Sequence, residues 1–336
     1  MVRYTLSRPA VLGLLAFVIL SIFAWGLLVG GATLSPAEVW RALEQPLGWS
    51  QAPATHVSIV WQLRLPRMLT AFLVGAALAL AGTISQAIFR NPLADPFVVG
   101  TSAGASAAVS LALTLNIVYL FPGVLATPLF AFAGAILVTL LVLLVGRRQG
   151  ALPVNTLLLA GIAANYLFGS LSILIALIGR DVLKRSLLWS LEGFAGAGWG
   201  SVITLLPYLA MGTLILAFLA KPLNLLLVGE ENALGMGLSV QRFKLLLVVV
   251  IGLLAGASVA TAGIIGFVGL VVPHLARMWV GATHRRLLPA SFIGGGVLLL
   301  TADNLARSII PGYEIPVSVL TALLGVPFFL YLLRKK

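Results

Sequence analysis

The sequence predicts an all-α integral membrane protein with about ten transmembrane helices. Three observations carry that prediction. Only 9% of the 336 residues are charged and 60% are hydrophobic, which leaves too little polar surface to clothe a water-soluble domain of this size. Apolar runs of about 18 or more residues, each long enough to cross roughly 30 Å of hydrocarbon, recur along the whole chain. The segments between them are too short for a soluble domain, so residues 1–336 are expected to form a single transmembrane domain.

The runs lie at about 10–30, 67–89, 97–115, 124–145, 155–178, 200–220, 243–261, 264–280, 288–308 and 316–333. The seventh and eighth are separated only by Thr261 to Gly263, so a nine-span arrangement competes with ten. The basic residues discriminate between the two. With the N-terminus inside and ten spans, the inner set is Arg3, Arg8, Arg90, Arg147, Arg148, Lys221, Arg242, Lys244, Arg277, Arg285, Arg286, Arg334, Lys335 and Lys336. The outer set is Arg41, Arg64, Arg67, Arg180, Lys184, Arg185 and Arg307. This excess favours both termini in the cytoplasm, whereas nine spans would send the basic tail outside. The first run follows two arginines, as in a signal peptide, but it is too long and lacks a convincing cleavage site, so it is expected to be retained.

The longest polar excursions are the informative ones. Outside, SPAEVWRALEQPL offers Ser35 as an N-cap with Pro36 at the first helical position, predicting a short surface helix. A second outer loop runs from Gly179 to Gly200. Inside, Lys221 to Lys244 alternates apolar and polar residues, predicting two short helical pieces broken by Gly235 and Gly237. Between the second and third runs, RNPLADP forces Asn91 and Asp95, each followed by proline, away from helix, and Asp95 can cap the helix that Pro96 begins. Gly100, Gly104, Gly252, Gly256, Gly263, Gly266 and Gly269 predict close helix packing.

Several function classes are excluded. The net charge of +12 is spread over short loops rather than gathered into a patch, so no nucleic acid is expected. There is no cysteine, hence no thiolate metal site, and His56, His274 and His284 are far apart in sequence, so no metal site is expected. Asp95, Glu192, Glu230, Glu231, Asp303 and Glu314 all fall in loops or near span ends, whereas an ion-coupled secondary transporter, the alternative reading, needs a titrating site at mid-membrane depth. The chain carries no GxxxxGK[ST] nucleotide loop. It is therefore read as a non-catalytic passage whose energy comes from elsewhere.

RLPR at Arg64 to Arg67, Gln86 followed by RNPLADP and a GxxxG helix, WSLEGF at Trp189 to Phe194, GFVGLVVPHLAR at Gly266 to Arg277 and the closing EIPVSVLTALLGVPFF together resemble the FecCD family. These are permeases of binding-protein-dependent ABC importers for ferric siderophores, haem and cobalamin, and the resemblance runs in order over nearly the whole chain. It implies a type II ABC importer permease fold working as a homodimer in the bacterial inner membrane. The expected partners are two copies of an ABC ATPase that uses the ATP, a periplasmic or lipid-anchored binding protein, and a metal-chelate cargo; no cofactor is bound covalently. By the same resemblance Arg64, Arg67 and Arg307 dock the binding protein, Asn91 and Leu93 help close the cytoplasmic gate, and Leu226, Gly229, Glu230, Ala233, Leu234 and Gly235 contact the ATPase. Taken as residues alone, the three arginines have headgroup anchoring as their competing reading, RNPLADP a plain connector, and the inner piece a helix lying on lipid, which its acidic Glu230 and Glu231 disfavour. His274 reads as a structural residue near Pro273, hydrogen-bonding carbonyls that the proline frees, and Glu192 as a support for the outer Trp loop.

Overall fold

The computed structural model describes residues 8–120, 126–179, 181–310 and 312–334; Arg3, Arg180, Lys335 and Lys336 of the charge count lie outside them. Every predicted run is occupied by a helix: α1 (Arg8–Leu28), α4 (Leu65–Phe89), α5 (Thr101–Thr114), α6 (Ala126–Gly146), α7 (Val154–Ile178), α9 (Trp199–Leu227), α11 (Val240–Ala262), α12 (Val268–Val280), α13 (His284–Ala306) and α14 (Val317–Arg334). The remaining helices are short: α2 (Pro36–Glu44), α3 (Ala54–Ser58), α8 (Val182–Leu191) and α10 (Glu230–Gly235). Among the described residues there is no strand, and six helices are long and apolar enough by themselves to cross a membrane.

Three boundaries differ from the sequence expectation, each for a local reason. The second span begins earlier, because α3 continues through a π-helical turn at Ile59–Arg64 into α4, making one helix of 36 residues from Ala54 to Phe89. The third begins later, since Gly100 adopts φ +86° and separates a 3₁₀ turn at Pro96–Val99 from α5. The eighth shortens to 13 residues because Gly263 and Phe267, both at φ +68°, interrupt the helix before Val268. The outer loop expected from Gly179 to Gly200 folds in part as α8.

The surface helix α2 is capped as predicted. The Ser35 hydroxyl accepts from the Glu38 amide, and the Glu38 carboxylate accepts from the Ser35 amide at 2.7 Å. Those hydrogen bonds hold the Glu38 carboxyl below its usual range.

Helix α4 is the axis of the fold, packed by α9, α11, α12 and α13 and buried along most of its length. Glycine makes this possible. A Cβ on Gly82 would fall 1.8 Å from the Gly269 carbonyl oxygen, and one on Gly75 would fall 2.1 Å from that of Gly295. The backbones of α4, α12 and α13 therefore touch, and dispersion between them supplies the packing that water exclusion cannot supply in lipid. Gly104 and Gly134 join α5 to α6 in the same way. Gly269 and Gly104 thus pack as expected, and Gly263 lies close against the Trp189 and Ser190 carbonyls while turning the chain, whereas Gly266 faces open space.

Candidate gate and coupling site

The polar turn after α4 is built almost entirely from its own side chains. Arg90 leaves the helix in the left-handed region at φ 46°, and the Asn91 side-chain oxygen accepts from the Leu93 amide at 2.9 Å. Asp95 takes an extended conformation and accepts from the Phe97 amide at 2.8 Å, capping the 3₁₀ turn that Pro96 opens. Ser85 donates to the Asp95 carbonyl at 3.0 Å, tying the turn back onto α4. Burial pushes the Asp95 carboxyl up to about 6 despite the capping amide. From α7, Asn165 donates to the Phe97 carbonyl at 3.1 Å, and Gly161 lies so close that a Cβ would meet the Val98 oxygen at 1.8 Å. Pro96 presses on Gly269 of α12. The turn is thus clamped between three long helices.

An ionic network leads from this turn to the segment between α9 and α11. Glu230, the first residue of α10, pairs with Lys244 at 2.6 Å and lies 3.9 Å from Arg90. Lys244 is 1% exposed and also donates to the Leu152 carbonyl at 3.0 Å, while the Leu152 amide donates to Gln241 at 2.6 Å. A buried ammonium needs such a partner, because its desolvation cost is otherwise uncompensated. Glu230 therefore joins α10 to the RNPLADP turn, to α11 and to the loop between α6 and α7.

Four of the six residues expected to contact an ATPase can be reached from outside. Leu234 and Gly235 are exposed, and Gly229 and Glu230 are partly so. Leu226 and Ala233 correct the expectation: they are 2% and 0% exposed and belong to the core packed around α4 and α11. Leu226 lies within α9, which runs to Leu227 before Gly229 breaks it at φ 116°. Exposed Glu231, Asn232 and Met236 complete the outward face of this element in their place.

Arg64, Arg67 and Arg307, the arginines expected to dock a binding protein, are largely buried. They point inward as parts of one cluster rather than standing free. Arg67 grips Asp303 through Nε at 3.1 Å and Nη2 at 2.8 Å, and holds Glu314 through Nη1 at 2.9 and 3.0 Å. Arg307 lies 3.2 Å from the same Asp303 and donates to the Val29 carbonyl and the Asn304 side chain. Arg64, 4% exposed, donates to the Leu27 and Ala32 carbonyls at the end of α1. Asp303 is fully buried, whereas the Glu314 side chain is 49% exposed, so the cluster opens to the surface at Glu314.

Further contacts involve Gln86, His274, Glu192 and a serine-lined cavity. Gln86 donates to the Leu270 carbonyl at 3.0 Å and accepts from Arg277 at 2.9 Å. The His274 ring packs edge-on to Phe328. Glu192 lines a cavity with Trp189 and Ser201, and burial raises its carboxyl above the usual range. A cavity of about 630 Å³ between α5, α7 and α8 carries Ser102, Ser106, Asn165, Ser186 and Ser190 on its wall, with Asp95 at one end. Among the described residues no cluster of three His, Asp or Glu could hold a metal ion.

The FecCD transport family model matches residues 14–335. The chain belongs to the FecCD transport family. The cobalamin import system permease protein BtuC of Halobacterium salinarum is 42% identical over 84% of this chain and 75% of its own length. The hemin transport system permease protein HmuU of Yersinia pestis is 41% identical over 92% of this chain and 90% of its own. The iron(3+)-hydroxamate import system permease protein FhuB of Bacillus subtilis is 39% identical over 92% and 78%. A solved metal-chelate type ABC transporter in an inward-facing conformation superposes with a TM-score of 0.82 at 33% identity, covering 98% of this chain and all of the other. This FecCD chain is thus a multi-pass membrane permease of the ABC importer type, with the all-α fold of that class.

Proposed function

We propose that the chain is the translocation subunit of an inner-membrane importer for a bulky metal chelate, acting as a homodimer with two copies of a separate ABC ATPase. The observation that carries this reading is the network through Glu230. It links the exposed helix α10 to the turn that holds Asn91 and Leu93, so a movement imposed on α10 would reach that turn through ionic contacts rather than through a flexible loop. Leu234, Gly235 and Met236 would seat in the ATPase, and the 90–95 turn would close the inner end of the path. Both termini would lie in the cytoplasm, on the side of the basic excess.

On the outer side a loaded binding protein would dock over the Arg67, Arg64 and Arg307 cluster. Because the arginines are already satisfied, a carboxylate from the binding protein would take the place of Glu314 on Arg67 rather than meet a free charge. The relatives and the cavity wall both support a chelate as cargo. Hydroxyl and amide groups with one carboxylate suit a neutral or weakly charged chelate better than a bare cation, which would need several anionic ligands. A ferric siderophore is the first choice, then haem, then cobalamin. The test is uptake by proteoliposomes holding this chain, its ATPase and its binding protein. ATP-dependent entry of a ferric chelate supports the reading, and uptake driven by an ion gradient without ATPase contradicts it.

A further inference from the structure

A groove of about 480 Å³ runs between α9 and α13, away from the turn, the outer cluster and the serine-lined cavity. Its wall is formed by Leu216, Ala217, Ala220, Leu288, Phe292 and Ile293, with a hydroxyl at Thr213. At the α13 N-terminal end the character changes. Arg285 lines the groove there, Arg286 beside it is exposed, and Lys221 is exposed next to Ala220 on α9. His284 also lines this end and is 1% exposed. Its Nδ1 and its backbone amide both meet the Asn224 side-chain oxygen at 2.9 Å, so Nδ1 is the donor and Nε2 is left as the acceptor of the neutral ring. Nε2 is buried and has no hydrogen-bond partner among the described residues.

We propose that this groove binds one anionic glycerophospholipid per chain, with its acyl chain along α9 and α13 and its phosphate at Arg285 and Arg286. The charge pattern selects this occupant. A basic mouth on an apolar channel matches an anionic headgroup over hydrocarbon, whereas a second copy of the chain would set arginines against arginines. His284, whose buried Nε2 has no partner among the described residues, marks this end of the groove as polar rather than hydrocarbon-lined. Assignment to the inner leaflet rests on the orientation proposed above; the binding itself does not.

The experiment uses the full chain in the complex purified from native membranes. The complex is transferred to phosphatidylcholine nanodiscs with or without phosphatidylglycerol, and retained lipid is counted by native mass spectrometry. Wild type is expected to keep phosphatidylglycerol in preference to phosphatidylcholine, at one per chain. Arg285→Gln with Arg286→Gln should weaken that retention roughly 30-fold, from about 1 kcal/mol for each basic residue at a membrane surface. Ala217→Trp, which fills the groove from an exposed position and leaves the arginines intact, should abolish it. Equal retention of the two lipids, or retention untouched by both variants, would overturn the proposal. So would disulfide formation between two copies bearing Ala217→Cys, which would show the groove to be a protein interface. Lipid retention is read without transport, so its failure is distinct from failure of the importer reading.

Discussion

Replacing Glu230 with glutamine removes one charge and almost no volume, and the structure allows the consequence to be worked out. Lys244 is buried at 1% exposure and would keep only neutral acceptors, the Leu152 carbonyl and the glutamine amide oxygen, in place of a carboxylate at 2.6 Å. Breaking a fully buried pair costs about 3–5 kcal/mol, chiefly because the remaining charge stays desolvated. The Glu230 side chain is 29% exposed, and water reaching it lowers the expected cost to about 2–3 kcal/mol. Lys244→Met in the same chain removes the stranded ammonium, so the double variant should recover at least about 1.5 kcal/mol of the summed single losses. The assay is a double-mutant cycle on the purified complex, read by thermal unfolding and in parallel by the amount of cargo moved per ATP hydrolysed. Glu230→Gln should lower transport more than ATP hydrolysis, since it loosens α10 from the 90–95 turn. A single variant within about 0.5 kcal/mol of wild type, or a strictly additive cycle, would refute the reasoning, because additivity is what uncoupled sites give.

The ion pairs, glycine contacts and buried carboxylates elsewhere in the fold give further expectations. Asp303→Asn leaves Arg67 and Arg307 sharing a neutral buried group and should cost about 3–5 kcal/mol in unfolding experiments, whereas Glu314→Gln, at a half-exposed position, should cost under about 1 kcal/mol. Gly82→Ala drives a methyl into the Gly269 carbonyl and should prevent accumulation of folded protein in the membrane, while Gly235→Ala, with open space around it, should express normally. Asp95 binds its proton more tightly folded, with a pKa of about 6, than unfolded at 3.8, so its contribution to stability is full below the unfolded value and declines as pH rises through about 6. Asp95→Asn keeps an oxygen to cap Phe97 and should flatten that part of the stability profile between about pH 4 and 6, measured by melting across a pH series.

The spans were legible in the sequence because hydrocarbon thickness imposes a length that a hydropathy pattern reports directly. The Ser35 and Asp95 caps were legible because a cap is a local event fixed by three or four residues. Pairings across the fold were not. Arg67 meets Asp303 and Glu314 from 236 and 247 residues away, and no periodicity links them, although the Asp303 to Arg307 spacing of four is a signal that was available. Leu226 and Ala233 were misplaced because helices that are apolar throughout do not distinguish their lipid face from their core face. The π turn joining α3 to α4 and the left-handed Gly100 shifted two boundaries by backbone effects that composition does not encode.

The central claim is that a separate ATPase drives this permease, and purification of the tagged chain from its native membrane tests it most directly. The account predicts that an ABC ATPase accompanies it in equal copy number, and that Leu234→Arg on the exposed face of α10 releases the ATPase while leaving the permease folded. Recovery of the chain without an ATPase, under conditions that keep a known importer complex intact, together with cargo flux driven by an ion gradient, would contradict it.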